Sequence, residues 1–239
     1  MPAQEMSFEE YNPVSTLVVP ENPVTRARFP AVDLHRHHFN MPSQDLSGVV
    51  EAMDSLNLAV LVNLSGGSGD HLKGAVENVR RNYPNRFLVF ANVDFDGVGE
   101  TGWGSKAAAQ LEEDVRNGAV GLKIYKSLGL RYRDTDGNRI PVDDARLDPV
   151  WEKCAELGIP VLIHSADPKS FWDPMNAQNE RWLELKTRPR RKRGDTNPAP
   201  WQQIIDEQHS MFRKHPGTTF INAHMGWYAN NLDKLASLM

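Results

Sequence analysis

One cysteine, Cys154, stands in 239 residues, which excludes an intrachain disulfide and frees the fold from any need of an oxidising compartment. Neither sign of charge is in excess. Twenty-seven Lys and Arg against 31 Asp and Glu leave a net charge of −4, too little to draw the chain to nucleic acid or to a membrane surface. No apolar run approaches the roughly 20 residues that span a bilayer. The opening MPAQEMSFEEYNP has neither the basic nor the apolar region of a secretory signal. The expectation is a cytoplasmic protein without nucleic-acid or membrane partners, although a chain whose true start lies upstream would read the same way. No internal repeat of the length found in solenoids is visible either.

What is present is an alternation. Residues 1–30 read as an irregular N-terminal arm with one strand candidate, STLVVP, and residues 31–239 as one domain. Short β-type runs follow at AVDLHRH (31–37), LAVLVNL (58–64), RFLVFANV (86–93), AVGLKIY (119–125), PVLIH (160–164) and TTFINAH (218–224). Helical patterns lie between them. Residues 105–117 place Ala107, Leu111 and Val115 on one face ahead of Gly118. Asp148 as cap and Pro149 at the first position open a second helix, with Val150, Cys154 and Leu157 as its stripe and Gly158 as its stop. A third covers 200–214. Strands that alternate with helices at this spacing predict α/β architecture with a parallel sheet. A closed (β/α)8 TIM barrel takes about 250 residues. The chain reads as such a barrel truncated after about six βα units, inside the helix that begins NNLDKLASLM.

Strand periodicity of two puts Asp33, His35 and His37 on one face, and likewise Leu162 with His164, Asn222 with His224, and Gly121 with Lys123. In a parallel barrel the strand ends converge on one mouth. A single histidine at a strand end is ordinarily a hydrogen-bonded edge residue. Four of them at the ends of three strands, one pair spaced H-x-H, favour a metal site, and imidazole suits zinc, iron or manganese. Alternation turns His38 the other way and places Asp33 one layer deeper.

DLHRH, PVLIH and INAHMG resemble the strand 1, 5 and 6 signatures of the amidohydrolase superfamily, closest to the amidohydrolase-related branch. That branch holds metal-dependent hydrolases and decarboxylases of unsaturated and aromatic acids. The resemblance covers about residues 31–239. It implies that His35, His37 and His164 are ligands of a divalent metal, zinc first, with iron or manganese also fitting. It makes His224 a ligand of a second metal or a catalytic base or polarising group. It gives Lys123 either a metal-bridging role, as a carboxylated lysine, or a hold on a substrate carboxylate. The family's metal-binding aspartate at the end of strand 8 has no counterpart here. Asp94 and Asp96 follow strand 3 and read as a turn with Gly97.

The leading expectation is therefore a metal-dependent hydrolase that activates water against an amide, ester or lactone bond of a small acidic substrate. The alternative is a metal-dependent, non-oxidative decarboxylase of an unsaturated or aromatic acid. From another class comes an inactive barrel fragment or half-site module, a homo-oligomer through its exposed sheet edges. The long loop after strand 5 offers Trp172, Asn176, Asn179 and Arg181 as substrate contacts. Its basic run KTRPRRKR reads as solvated surface, as do Lys126, Arg131 and Arg133 unless they line the mouth. LSGGSGD reads as a flexible loop bordering the site. His71, His209 and His215 belong to no constellation, the last two facing solvent or the outer core.

Overall fold

Apolar residues at neighbouring positions of the same strand go to two different cores, and this division builds the molecule. The computed structural model describes residues 6–11, 20–229 and 231–237; the strand candidate STLVVP lies, Pro20 apart, outside them. The strands are β1 (Ala31–Arg36), β2 (Leu58–Asn63), β3 (Phe87–Val89), β4 (Ala91–Asn92), β5 (Leu122–Ile124), β6 (Val161–Ile163) and β7 (Phe220–Asn222). Every pairing is parallel, and spatial order follows chain order, β1-β2-β3 in one sheet and β4-β5-β6-β7 in the other. The sheets meet at Phe90, whose N–H donates to the Asn63 carbonyl while the next N–H, of Ala91, donates to Gly121. Residues 87–92 are thus the single third strand expected from sequence, pivoting at one residue.

The helices are α1 (Ser47–Leu56), α2 (Gly69–Asn82), α3 (Trp103–Arg116), the kinked turn α4 (Ser127–Leu130), α5 (Asp148–Leu157), α6 (Trp182–Thr187), α7 (Trp201–Lys214) and α8 (Leu232–Ala236). This is the singly wound α/β order of a (β/α)8 barrel. α5 ends as its sequence predicts, on Gly158 at φ 65°, with the cap N–H returned to Ala155 and Cys154. Its start differs. A 3-10 turn, Ala145–Leu147, runs directly into the helix. Asp148 is therefore the first helical residue rather than a cap, and its carboxylate instead meets His215 Nε2 at 2.9 Å and Lys214 Nζ at 2.5 Å. His215 and His209 are both buried, on the α7 side of the outer core, not solvent-facing.

Leu61, Phe87, Val89, Leu122, Ile124, Val161 and Ile163 pack outward against α2, α3, α5 and α7 in one large core. The alternate residues Val62, Leu64, Phe90, Leu162 and Ala223, with Ile221 against them, form a second, inner core. Lys123 lies between Leu122 and Ile124 and so falls on the inner face by the same period of two. Gly121, on the same face, is closely packed by Phe90, whose ring would lie 2.4 Å from an added Cβ. Among the described residues no helix is long and apolar enough to cross a membrane.

Candidate active site

Four histidine rings and a buried lysine gather where β1, β5, β6 and β7 end. His35 lies 5.4 Å from His37 and 5.3 Å from His224, ring centre to ring centre, and His224 lies 4.3 Å from His164. His224 Nε2 and His164 Nδ1 are 3.3 Å apart. Lys123 Nζ stands 5.6 Å from the centre of the Tyr125 ring, which in turn is 5.7 Å from His37.

The local backbone departs from simple strand ends. β1 stops at Arg36, and its register with β2 slips between Asp33 and Arg36, so His37 lies just past the strand. Asp33 is turned to its own strand, accepting from the His35 N–H at 3.0 Å and pairing with Arg36 at 2.7 Å. His224 is not the last strand residue expected. It opens a left-handed run in which His224, Met225, Gly226 and Trp227 have φ of 59°, 53°, 57° and 65°. Non-glycine residues pay for that conformation, about 1–2 kcal/mol each. Contacts hold it in place: Trp227 Nε1 donates to the Ser165 carbonyl at 2.7 Å, and its ring packs 5.0 Å from His224.

Burial and the Lys123 charge keep these imidazoles neutral. Burial first, then Lys123 and neighbouring histidines, pushes His35 down to about 4. Burial and the adjacent His224, Lys123 and Lys126 push His164 down to about 2. His37 and the exposed His224 are lowered for the same leading reason, loss of hydration. Lys123 is itself pushed down to about 8 by burial.

A metal requires neutral imidazole lone pairs, and this cluster supplies them. His164 Nε2 is buried with no hydrogen-bond partner, as is Lys123 Nζ. Such orphaned polar atoms are costly unless something else completes them. The donor set fits a divalent ion. As they stand, no three His, Cys, Asp or Glu side chains among the described residues form a ready metal-holding group, so ligation would involve side-chain rotation.

Two further residues join the cluster without having been anticipated. Ser65 Oγ is 2.8 Å from His37 Nδ1 and 2.7 Å from the Tyr125 hydroxyl. Ser65 opens the glycine-rich stretch read as a flexible loop, yet it is buried. Tyr125 shares the period of two with Lys123, and that signal was available in the sequence.

The loop after β6 uses its own residues. Trp172 Nε1 donates to the Ala199 carbonyl at 2.9 Å. Asn179 is buried and donates to the Ser170 and Pro174 carbonyls. Asn176 caps the Gln178 N–H, and Arg181 pairs with Glu184. None of the four makes a hydrogen bond or ring contact with the histidine cluster. The basic run is only partly solvated. Arg193 and Lys126 both pair with the buried Asp167, Arg191 pairs with Glu184, and Lys192 Nζ donates to the carbonyls of Phe171, Trp172 and Arg193. Asp94 caps the Asp96 N–H in the turn expected with Gly97. That turn borders a separate cavity of about 250 Å³ that Asp114 also lines.

A family model described as amidohydrolase matches residues 74–239, a stretch that includes Lys123, His164 and His224 and begins after His35 and His37. No curated protein matches the sequence. Among solved structures, a dihydroxybenzoic acid decarboxylase from Polaromonas sp. JS666, with bound manganese and the inhibitor 2-nitroresorcinol, is 18% identical at a TM-score of 0.52, over 85% of this chain and 67% of that one. A 2,6-dihydroxybenzoate decarboxylase in complex with 2,6-dihydroxybenzoate is 18% identical at 0.50, over 84% and 68%. A protein described as an amidohydrolase II is 13% identical at 0.51, over 85% and 70%. At these identities the likeness is one of fold.

Proposed function

The chain belongs to the amidohydrolase family, and from that premise we propose that it is a metal-dependent enzyme that removes the carboxyl group of a small aromatic or unsaturated acid. His35, His37 and His164 would hold the metal, manganese or zinc. Once bound there, a divalent ion supplies Lewis-acid charge that fixes and polarises anionic oxygens of the substrate. Lys123 carries the reading. It is a cation 1% exposed, its ammonium has no partner, and the rings around it are neutral. Such a group is completed by an anion, and a substrate carboxylate is the anion this chemistry calls for. The reaction replaces a carbon–carboxylate bond by a carbon–hydrogen bond, so carbon dioxide leaves and one proton is taken up. His224, neutral and on the exposed side of the cluster, would pass that proton from solvent. The share of the two aromatic-acid decarboxylases among the similar folds supports this order of readings.

Hydrolysis of an amide, ester or lactone, the leading expectation from sequence, is the second reading, since a metal-activated water would use the same histidines. One experiment separates them. Purified protein loaded with Mn2+ or Zn2+ is given a panel of hydroxybenzoates and a panel of lactones, esters and amides, with carbon dioxide release and ultraviolet absorbance followed in parallel. Metal-dependent carbon dioxide release, abolished by EDTA, is the expected result. Turnover confined to the second panel would establish hydrolysis and overturn the proposal.

A further inference from the structure

We propose that Ser65 and Tyr125 are positioning residues that set the tautomer of His37, keeping the proton on Nδ1 and the lone pair on Nε2. Three contacts in a row carry this. His37 Nδ1 is 2.8 Å from Ser65 Oγ, Ser65 Oγ is 2.7 Å from the Tyr125 hydroxyl, and that hydroxyl is 3.0 Å from the Leu64 carbonyl oxygen.

The direction of the chain follows from counting protons. A carbonyl oxygen only accepts, and each hydroxyl has one proton to give. If Tyr125 donates to Leu64, its oxygen must accept from Ser65, and Ser65 must then accept from His37, which therefore carries its proton on Nδ1. All three contacts are hydrogen bonds in that arrangement. In the reverse arrangement Tyr125 gives its proton to Ser65 and Ser65 gives its own to His37 Nδ1. The Tyr125 and Leu64 oxygens would then face each other at 3.0 Å with no proton between them. Burial raises the cost of that mismatch: Ser65 is buried and Leu64 wholly so.

The backbone fixes the participants. Ser65 is held by its own N–H, which donates to Asn63 Oδ1 at 3.0 Å, and the Leu64 carbonyl also accepts from Asn92 Nδ2 at 3.0 Å. Asn63 Oδ1 takes the His38 N–H as well, at 2.8 Å, so one buried amide ties the histidine segment to the serine that orients it. A ligand histidine is ordinarily oriented by the hydrogen bond its other nitrogen makes. Here that second partner is a hydroxyl pair ending on a carbonyl.

The inference rests on the metal reading above only for its consequence. Its test therefore has two arms on the full chain. In EDTA-treated, 15N-labelled protein, long-range imidazole 1H–15N correlations identify the His37 tautomer, assigned by the signal lost in His37→Gln. The wild type is expected in the Nδ1–H form, and Tyr125→Phe, which takes away the acceptor of the Ser65 proton, is expected to move His37 toward Nε2–H. Calorimetric titration with Mn2+ is expected to show affinity about 10- to 100-fold weaker in Ser65→Ala and Tyr125→Phe, with Ser65→Thr restoring most of it. A wild-type His37 protonated on Nε2 overturns the proposal, as does a tautomer unmoved in Tyr125→Phe. A wild type that takes up no Mn2+ overturns the metal reading instead, and the tautomer arm still decides the role of Ser65 and Tyr125.

Discussion

Replacing Lys123 by methionine is expected to stabilise the metal-free protein while abolishing its activity. The ammonium is 1% exposed and makes no hydrogen bond, and burial lowers it from 10.5 to about 8. Each tenfold change in an ionisation constant is worth about 1.4 kcal/mol, so the folded protein carries about 3 kcal/mol of unfavourable free energy at pH 7. Attraction to the Tyr125 ring, 5.6 Å away, offsets on the order of 0.5–1 kcal/mol of it. Methionine fills a similar volume without charge, which leaves an expected gain of about 2–3 kcal/mol. The pH dependence has a definite sign. A lysine with a depressed folded pKa binds fewer protons folded than unfolded, so its cost is complete below about 8 and disappears as pH rises through 10.5. Cys154, pushed up to about 12 by burial, and Tyr125 and Tyr132, also raised by burial, change stability the opposite way in that range. The quantity to measure is therefore the difference between variant and wild type, by urea denaturation in EDTA from pH 7 to 10.5. The gap should be widest at pH 7 and close toward pH 10.5. A variant no more stable than wild type at pH 7, or a gap that ignores pH, refutes the reasoning that Lys123 is an uncompensated cation.

Three further substitutions or reagents address the frame. Gly226→Ala should lower Tm by roughly 2–8 °C, because φ is 57° and the new Cβ would lie 2.6 Å from Asn222 Nδ2; an unchanged melting curve would show that the left-handed run is not under strain. Glu207→Ala should cost about 3–5 kcal/mol in guanidinium denaturation. It leaves the largely buried Arg139 guanidinium without the carboxylate that both its terminal nitrogens engage, and it frees the Val142 N–H, now bound at 3.1 Å. Cys154 should stay unreactive to a thiol reagent in the native protein and titrate fully in denaturant, since it is wholly buried and its thiol is pushed up to about 12; rapid native labelling would place it elsewhere.

The parallel α/β order was legible because period two and period 3.6 both survive in the sequence. Val161 and Ile163 go outward and Leu162 inward, as the run PVLIH requires. α5 shows its proline and its terminal glycine in the text of the chain. α1 is harder to read, because among its residues only Met53 is buried, with Val49 and Val50 partly buried against the same core. Strand ends were overestimated: the ladders stop at Arg36, Ile163 and Asn222, so His37, His164 and His224 lie one or two positions beyond the strands that aim them. The expected substrate residues of the long loop fared differently. Trp172, Asn179 and Arg181 are polar groups that a loop needs for its own carbonyls and carboxylates, and no pattern in a single sequence separates that use from ligand binding.

Two lysines face the histidines, and the protein treats them differently. Lys126 is neutralised by Asp167, which is buried and shared with Arg193, so this cation holds the loop after β6 against the end of β5. Lys123, three residues earlier in β5 and wholly buried, is given no carboxylate. On the function proposed above, the anion that completes this bare cation is the substrate carboxylate. On that reading the stability lost at Lys123 is the cost of a preorganised carboxylate site, and an acid should bind the wild type more tightly than Lys123→Met while a neutral amide of the same acid should not.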